Sequence, residues 1–522
     1  MALGRRKGEV QQDLFITADQ LPKSIGHVFY RKLNELLAEA GFDRWVEDLC
    51  GPYYSQGKGR PGIPPGVYFR MLIVGYFEGL QSCRGIAWRC ADSLSLRSFL
   101  GVPLTEDTPD HSSMSHLRDR LSQDVHHSVF AWVLKLAREK QLLKGKTVGV
   151  DSSTLEANAA MKSIVRRDTG EDWEAYVTQL MKADGVIPSG YKPTAEEIRN
   201  FDRQREDKRV SNDDWVSETD PESRITRMKD GTTHLAYKAE HVVDLDSNLI
   251  MAAEVYQGNQ ADVSTLEDSV NAAQTNQAAT GSDVVIKNVV ADKGYHSGET
   301  LGTIATETPY RTYIPEPRRK KKERRRGPKS GAPSDESRAK RKAVLANRRR
   351  MRTDRGKKLQ RVRSERVERT FAHVLETGGA RRTWLRGIDK VRKRYSIAAA
   401  AHNLGVLMRT LFGIGTPRGL QQFRDGAAAV FGLLQNAYLR VWIAIWTSYA
   451  QFQRQTRYEG PPPPIGERCI RDVLRRLLGW RGFNFFTATG ACDDKRRAGA
   501  VLAGVAGASG GEWLVSATLL RA

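Results

Sequence analysis

Asp151 closes a short apolar run, KTVGVD, and Asp292 closes another, VVIKNVVAD; Glu365 and Glu368 lie in a later segment, LQRVRSERVERTFAHVLE. Three carboxylates gathered without His or Cys make a hard oxygen site, suited to Mg2+ or Mn2+ and not to Zn2+. Two such ions about 3.5–4 Å apart can activate an attacking oxygen and stabilise a leaving one in an in-line phosphoryl displacement. Clustered acids raise each other's pKa by repulsion, and bound cations reverse that. Each acid also has a plainer role open to it. A strand-end Asp commonly turns the chain or caps a helix, and a Glu in an Arg-rich helix commonly pairs on the surface. Their joint placement along the chain is what favours a shared site.

The elements that must position them can be read from apolar spacing. Residues 25–145 carry helical patterning broken by GKGRPGIPPG, and Asp110 or Ser112 is suited to cap the helix at PDHSSMSHLRDRL. KTVGVDSS reads as a strand, and residues 156–230 as polar helix or loop. THLAYKAEHVVDLD and LIMAAEVY read as two β segments joined by the turn DSN. A helix from about Ala261 to Ala279 follows, with Asp262 suited to cap it. Then come the strand VVIKNVVAD, the helix GYHSGETLGTIATE and the strand PYRTYIPEP. A last helix carries Val367, Phe371 and Val374 on one face. This order predicts an α/β chain with an RNase H-like mixed sheet, preceded by an all-helical region. The expected domains are 20–145, helical, with DNA binding and other helical-bundle roles equally open on composition; 146–415, the mixed-sheet domain that carries the acids; and 416–522, a helical C-terminal extension with the PPPP linker and a Gly/Ala-rich tail.

The chain has 522 residues, 40% hydrophobic and 28% charged, with a net charge of +22 and a pI near 9.8. That excess of cations points to a polyanion. It is concentrated: residues 318–363 hold 22 Lys/Arg against 4 Asp/Glu, a local net of +18. The tract has almost no apolar content and is expected to be a solvated basic insertion that meets phosphate, with Arg348, Arg349 and Arg350 as candidate contacts. The five cysteines, Cys50, Cys83, Cys90, Cys469 and Cys492, form no CxxC pair. Cys83 and Cys90 read as core. Residues 427–450 are long enough to span a bilayer. Gln435, Asn436 and Arg440 interrupt them, so a helix packed on protein is expected, in a soluble protein with no membrane partner.

The blocks GVDSSTLEANAAMKSIVRRDTGEDW, DWVSETDPESRITRMKDGTTHLAYKAEHVVDLDSNLI, VVADKGYHSGETL and RVRSERVERTFAHVLETGGARRTWLRG occur in this order. Over roughly residues 20–420 the chain resembles bacterial insertion-sequence transposases of the DDE type, with an InsH-like domain ahead of the catalytic one. The resemblance puts the triad on Asp151, Asp292 and Glu368. Of the signature Y-x2-R-x3-E-x6-K, Ser364 stands at the Arg place and Leu375 at the Lys place. VERTFAH matches the V-E-x-x-F core, which selects Glu368, with Glu365 second. The resemblance implies binding to terminal inverted repeats, strand cleavage and transfer with Mg2+ or Mn2+ (two ions), a homodimer, and a cytoplasmic, nucleoid-associated location.

Secondary candidates for DNA contact are Lys293, Tyr295 and His296, which follow the second acid, and Arg381, Arg382, Arg386 and Lys390, with Trp384 among them to stack on a base. Two other functions stand beside the transposase: a decayed transposase that only binds DNA, and a metal-dependent nuclease that does not transfer strands.

Overall fold

Helices come first, and polar side chains start most of them. The helices are α1 (Gly26–Glu39), α2 (Phe42–Cys50), α3 (Pro65–Glu78), α4 (Cys83–Ala91), α5 (Leu94–Leu100), α6 (His111–Arg120) and α7 (Gln123–Glu139). Ser82, Ser93, Asp110 and Ser122 accept from free backbone N–H groups at the starts of α4 to α7. The expected cap at Asp110 is therefore present, at 2.8 Å from the Ser113 N–H. Helix α3 starts on Pro65 and stops at Gly79, whose φ of 68° ends the turn. Cys83 and Cys90 are buried in this core, as is Cys50.

The computed structural model describes residues 17, 20, 26–55, 62–206, 211–228, 231–317 and 335–417. All the described residues belong to one compact unit. The candidate span 427–450, the PPPP linker, Cys469, Cys492 and residues 318–334 of the basic tract lie outside the described residues. Among those described, no helix is long and apolar enough to cross a membrane.

The sheet uses β1 (Thr147–Glu156), β4 (Arg224–Arg227), β5 (Thr233–Asp244), β6 (Ile250–Gln257), β7 (Asn288–Ala291) and β8 (Arg311–Tyr313). A small arm, β2 (Ile164–Arg166), α8 (Trp173–Ala183), α9 (Ala195–Gln204) and β3 (Trp215–Ser217), leaves and returns between β1 and β4. The order is β4-β5-β1-β7-β8, with β6 also on β5. Strands β1, β5 and β6 run antiparallel, whereas β7 and β8 run parallel to β1. This mixed α/β sheet behind a helical region is compatible with an RNase H-like fold. The DSN turn forms as expected, with Asn248 at φ 67°, a conformation Asn tolerates better than most residues.

Both faces of the sheet are covered. Val148, Val150 and Val242 pack with α10 (Asp262–Ala279) and α11 (Gly298–Glu307). Gly149, Ala239 and Val243 lie on the other face, under α13 (Asp354–Phe371) and α14 (Ile388–Phe412). Helix α14 is buried at nearly every position from Tyr395 to Met408. It packs on α7 and α3 along one side and on β6 along another, where Asn403 brackets the backbone N–H and C=O of Ile250.

The basic tract differs from expectation. Its described part is ordered as α12 (Asp335–Arg352), a largely exposed helix, followed by the first half of α13. Helix α12 packs on α11 and β8, with Asn347 fully buried and hydrogen-bonded to both backbone groups of Ile314. Besides this amide, Ala343 joins the core under β7 and β8 and Val344 packs against it.

Candidate active site

Strand register brings the first two acids together. Val150 lies opposite Ala291 in the parallel β1–β7 ladder, so Asp151 and Asp292 are neighbours. Asp292 follows the end of β7, whereas Asp151 lies midway along β1, which continues to Glu156 on its pairing with β5 and does not end at the acid as expected. Side chains alternate along a strand. Asp151 shares the face of Gly149, and Asp292 that of Val290; α13 lies over both. Their side chains are 24% and 46% exposed.

Helix α13 is keyed to this face at both ends. Gln360 donates to the carbonyls of Ala291 and Tyr313. Towards its far end, Phe371 stacks on His241 at 4.0 Å, and Thr370 Oγ1 is 2.9 Å from His241 Nδ1. His241 lies directly opposite Asp151 in the β1–β5 ladder. Its other nitrogen meets Tyr395 Oη at 2.7 Å. Burial holds its pKa well below the ordinary value, so the imidazole is neutral and fully engaged. It is a keystone, not an acid–base group.

Between the anchors, Arg363 enters the site. Its Nη1 donates to Asp151 Oδ2 at 2.7 Å, and its Nη2 lies 3.8 Å from Asp292 Oδ1. This last residue of the basic tract is buried and faces the acids, a role the charge pattern did not suggest. Its one sequence signal is position: it stands four before Val367 on an otherwise sheet-facing stripe.

Glu368 is exposed on α13 and accepts from Ser364 at 2.8 Å. Glu365 is 61% exposed and paired with Arg369. At about 100° per residue, Glu368 lies on the flank opposite Arg366, whose guanidinium binds the Asp246 carbonyl at the end of the sheet where β1 begins. Glu368 thus looks towards the end where Asp151 and Asp292 sit, and Glu365 points away from the sheet. Among the described residues, no three His, Cys, Asp or Glu side chains converge closely enough to hold a metal.

Behind Asp151, on the opposite face, lies a second charged group. Lys238 Nζ pairs with Asp262 at 2.9 Å and Glu240 at 3.3 Å, and donates to Thr265. Glu240 accepts from Tyr295 and Thr265, and burial raises its pKa against the pull of Lys238. Asp262 is the first residue of α10 and makes no capping bond; it accepts from Ser152 instead. The expected cap is corrected: this carboxylate ties α10 to the strand of the first acid. Gly294 permits the contact, since a Cβ there would lie 2.8 Å from Asp262 Oδ2.

The secondary candidates are dispersed. Lys293 is exposed in the turn after Asp292, His296 is half-buried, and Tyr295 is buried against Glu240. Arg348 forms a two-pronged pair with Glu316, Arg350 binds Thr312, and Arg349 is exposed. Arg381 pairs with Glu376 and Lys390 with Asp119. Arg382 and Arg386 are exposed. Trp384 is approached by two guanidinium groups, Arg118 at 5.2 Å and Arg394 at 5.4 Å.

The donor set suits a hard cation. Two carboxylates flank one point that already holds a positive group, and the nearest imidazole is committed elsewhere.

A helical region followed by a mixed sheet with paired acids on adjoining strands has a counterpart among known families. Residues 17–120 match a transposase domain (DUF772), and residues 207–404 match the transposase DDE domain, together more than half of the chain. The chain belongs to the insertion-sequence transposases of the DDE type. Strand β1 lies ahead of the second match, yet it forms the centre of the same sheet. No curated protein and no solved structure matches the chain.

Proposed function

We propose that this transposase binds the terminal inverted repeats of its own element, cleaves there, and joins the freed 3′-hydroxyl to target DNA. The observation that carries the reading is the register of β1 and β7, which sets Asp151 beside Asp292 under α13. An RNase H-like catalytic domain over 146–415 fits the strand order, with the helical region 20–145 recognising DNA and two copies holding the two ends. Its place is with chromosomal DNA in the cytoplasm.

Asp151, Asp292 and Glu368 would hold Mg2+ or Mn2+, two ions in the full site. When bound, the cations supply Lewis-acid activation of the attacking oxygen and stabilise the leaving one. The chain itself positions. In this reading the sheet positions two carboxylates, Glu368 on α13 would supply the third, and exposed Lys293 with half-buried His296 would offer contacts to the scissile strand. In cleavage, a water oxygen forms the new bond to phosphorus as the bond to the 3′ oxygen breaks. In transfer, that 3′-hydroxyl oxygen bonds to a target phosphorus as the target's own bond to its 3′ oxygen breaks, and that oxygen leaves as a target 3′-hydroxyl.

A gel shift and a cleavage assay on one duplex carrying the element ends test this. Asp151→Asn, Asp292→Asn and Glu368→Gln should each abolish cleavage and leave binding nearly intact. Full cleavage by Glu368→Gln, with loss in Glu365→Gln, would move the third acid to Glu365. DNA binding without catalysis is the second reading, favoured by the lack of a converged three-acid cluster among the described residues. Binding by the unaltered protein with no cleavage in Mg2+ or Mn2+ would establish it, and cleavage without strand joining would establish a nuclease.

A further inference from the structure

We propose that Arg363 is a positioning residue that fills the cation's place between Asp151 and Asp292 until a divalent ion displaces it. This rests on reading those two acids as cation ligands. Side by side on adjoining strands, the carboxylates repel, and a fold without an ion needs something positive there. Arg363 supplies it, with one nitrogen at 2.7 Å from Asp151 and another at 3.8 Å from Asp292.

The arrangement is built. The guanidinium is only 8% exposed, whereas both acids are more open to solvent. Its stem runs over Gly149, where an added Cβ would lie 3.0 Å from Arg363 Cγ. Gln360 on one side and Phe371 with Thr370 on the other pin the helix that carries it. The side chain, not the helix, is therefore the part able to move. Its Nε is buried and lacks a hydrogen-bond partner among the described residues, so the acids hold this group without fully satisfying it.

A divalent ion within ligand distance of both carboxylates, about 2.0–2.6 Å, would meet the guanidinium at close range. Two cations cannot share that space without strong repulsion. Cation entry and Arg363 are thus in competition, and the apparent affinity of the site is set partly by this arginine.

Calorimetric titration of the full chain with Mn2+, without DNA, reads the competition directly. Arg363→Gln and Arg363→Met should each bind Mn2+ about tenfold more tightly than the unaltered protein, the size of one close charge pair. Arg363→Lys keeps the charge and should show no tightening. In EDTA the two neutral variants should melt below the unaltered protein, and saturating Mn2+ should close the gap; folding only in Mn2+ is the extreme form of that result. Unchanged affinity in both neutral variants, tightening in Arg363→Lys, or failure of the neutral variants to fold even in Mn2+ overturns the proposal. Undiminished Mn2+ binding by Asp151→Asn and Asp292→Asn would instead overturn the assignment of the ligands.

Discussion

The hydroxyl of Ser152 donates to the carboxylate of Asp262 over 2.8 Å, tying the residue after the first acid to the start of α10. Lys238 completes the link, because it joins Asp262 to buried Glu240, which in turn holds Tyr295 beyond the second acid. Both acids are therefore braced from behind by one lysine. Lys238→Met should leave Glu240 buried and uncompensated and cost about 3 kcal/mol, measured by urea unfolding. Lys238→Met/Glu240→Gln should recover part of that loss. A fully additive double variant would mean that the two side chains do not act together.

Acid should weaken the helical region through His126. Its Nδ1 donates to the Ser122 carbonyl at 2.9 Å, which leaves Nε2 to accept from Tyr68 at 3.0 Å. Burial pushes its pKa from 6.5 to about 4. The unfolded chain takes up the proton first, so stability falls as pH drops from about 6.5 to about 4 and changes little above that window. Urea melts at a series of pH values should show His126→Gln with a slope shallower by up to about 1.4 kcal/mol per pH unit there. Parallel slopes for the two proteins would rule His126 out as the source.

Gly149 lets β1 and α13 approach closely. A methyl there would lie 2.7 Å from Leu245 and 2.9 Å from Val367. Gly149→Ala should cost about 1–3 kcal/mol by overpacking and shift the helix that carries Arg363 and Glu368. Strand cleavage should fall more steeply than the melting temperature, and activity retained at full level would contradict this.

The arginines of α12 should not contribute equally to DNA binding. Arg349 is exposed, whereas Arg348 is committed to Glu316 and Arg350 to Thr312. Arg349→Ala should reduce the slope of log K against log salt by about 0.9 on specific and random duplexes alike. Arg350→Ala should mainly lower the melting temperature. A slope unchanged by Arg349→Ala would take α12 out of the DNA interface.

Much of the sheet was legible because its strands contain apolar runs bounded by turns, although β1 runs on past Asp151 to Glu156, through a polar stretch that carries no strand signal. VVIKNVVAD and the DSN turn needed no tertiary information. The contribution of α12 was hidden because its buried residues are Asn347 and Ala343 in a helix of 18 residues dominated by charge, and an amide used as an anchor leaves no periodic apolar signal. Asp262 looked like a cap because caps and strand-tying carboxylates occupy the same place before a helix. Arg363 and His241 went unread for one reason: a polar residue on a buried stripe gains its meaning from a partner far along the chain, and spacing along a single element cannot name that partner.

Helix α14 bears on how the molecule comes apart. It gives one side to α3 and α7 and another to β6, so neither neighbour can leave without exposing Tyr395, Leu404 and Leu407, which are almost wholly buried. The amides of α14 should therefore be among the slowest to exchange with deuterium, opening only with the whole unit. A catalytic fragment cut free at residue 146 would carry a raw apolar seam along this helix and aggregate, and protease should find no stable core smaller than the helices and sheet together.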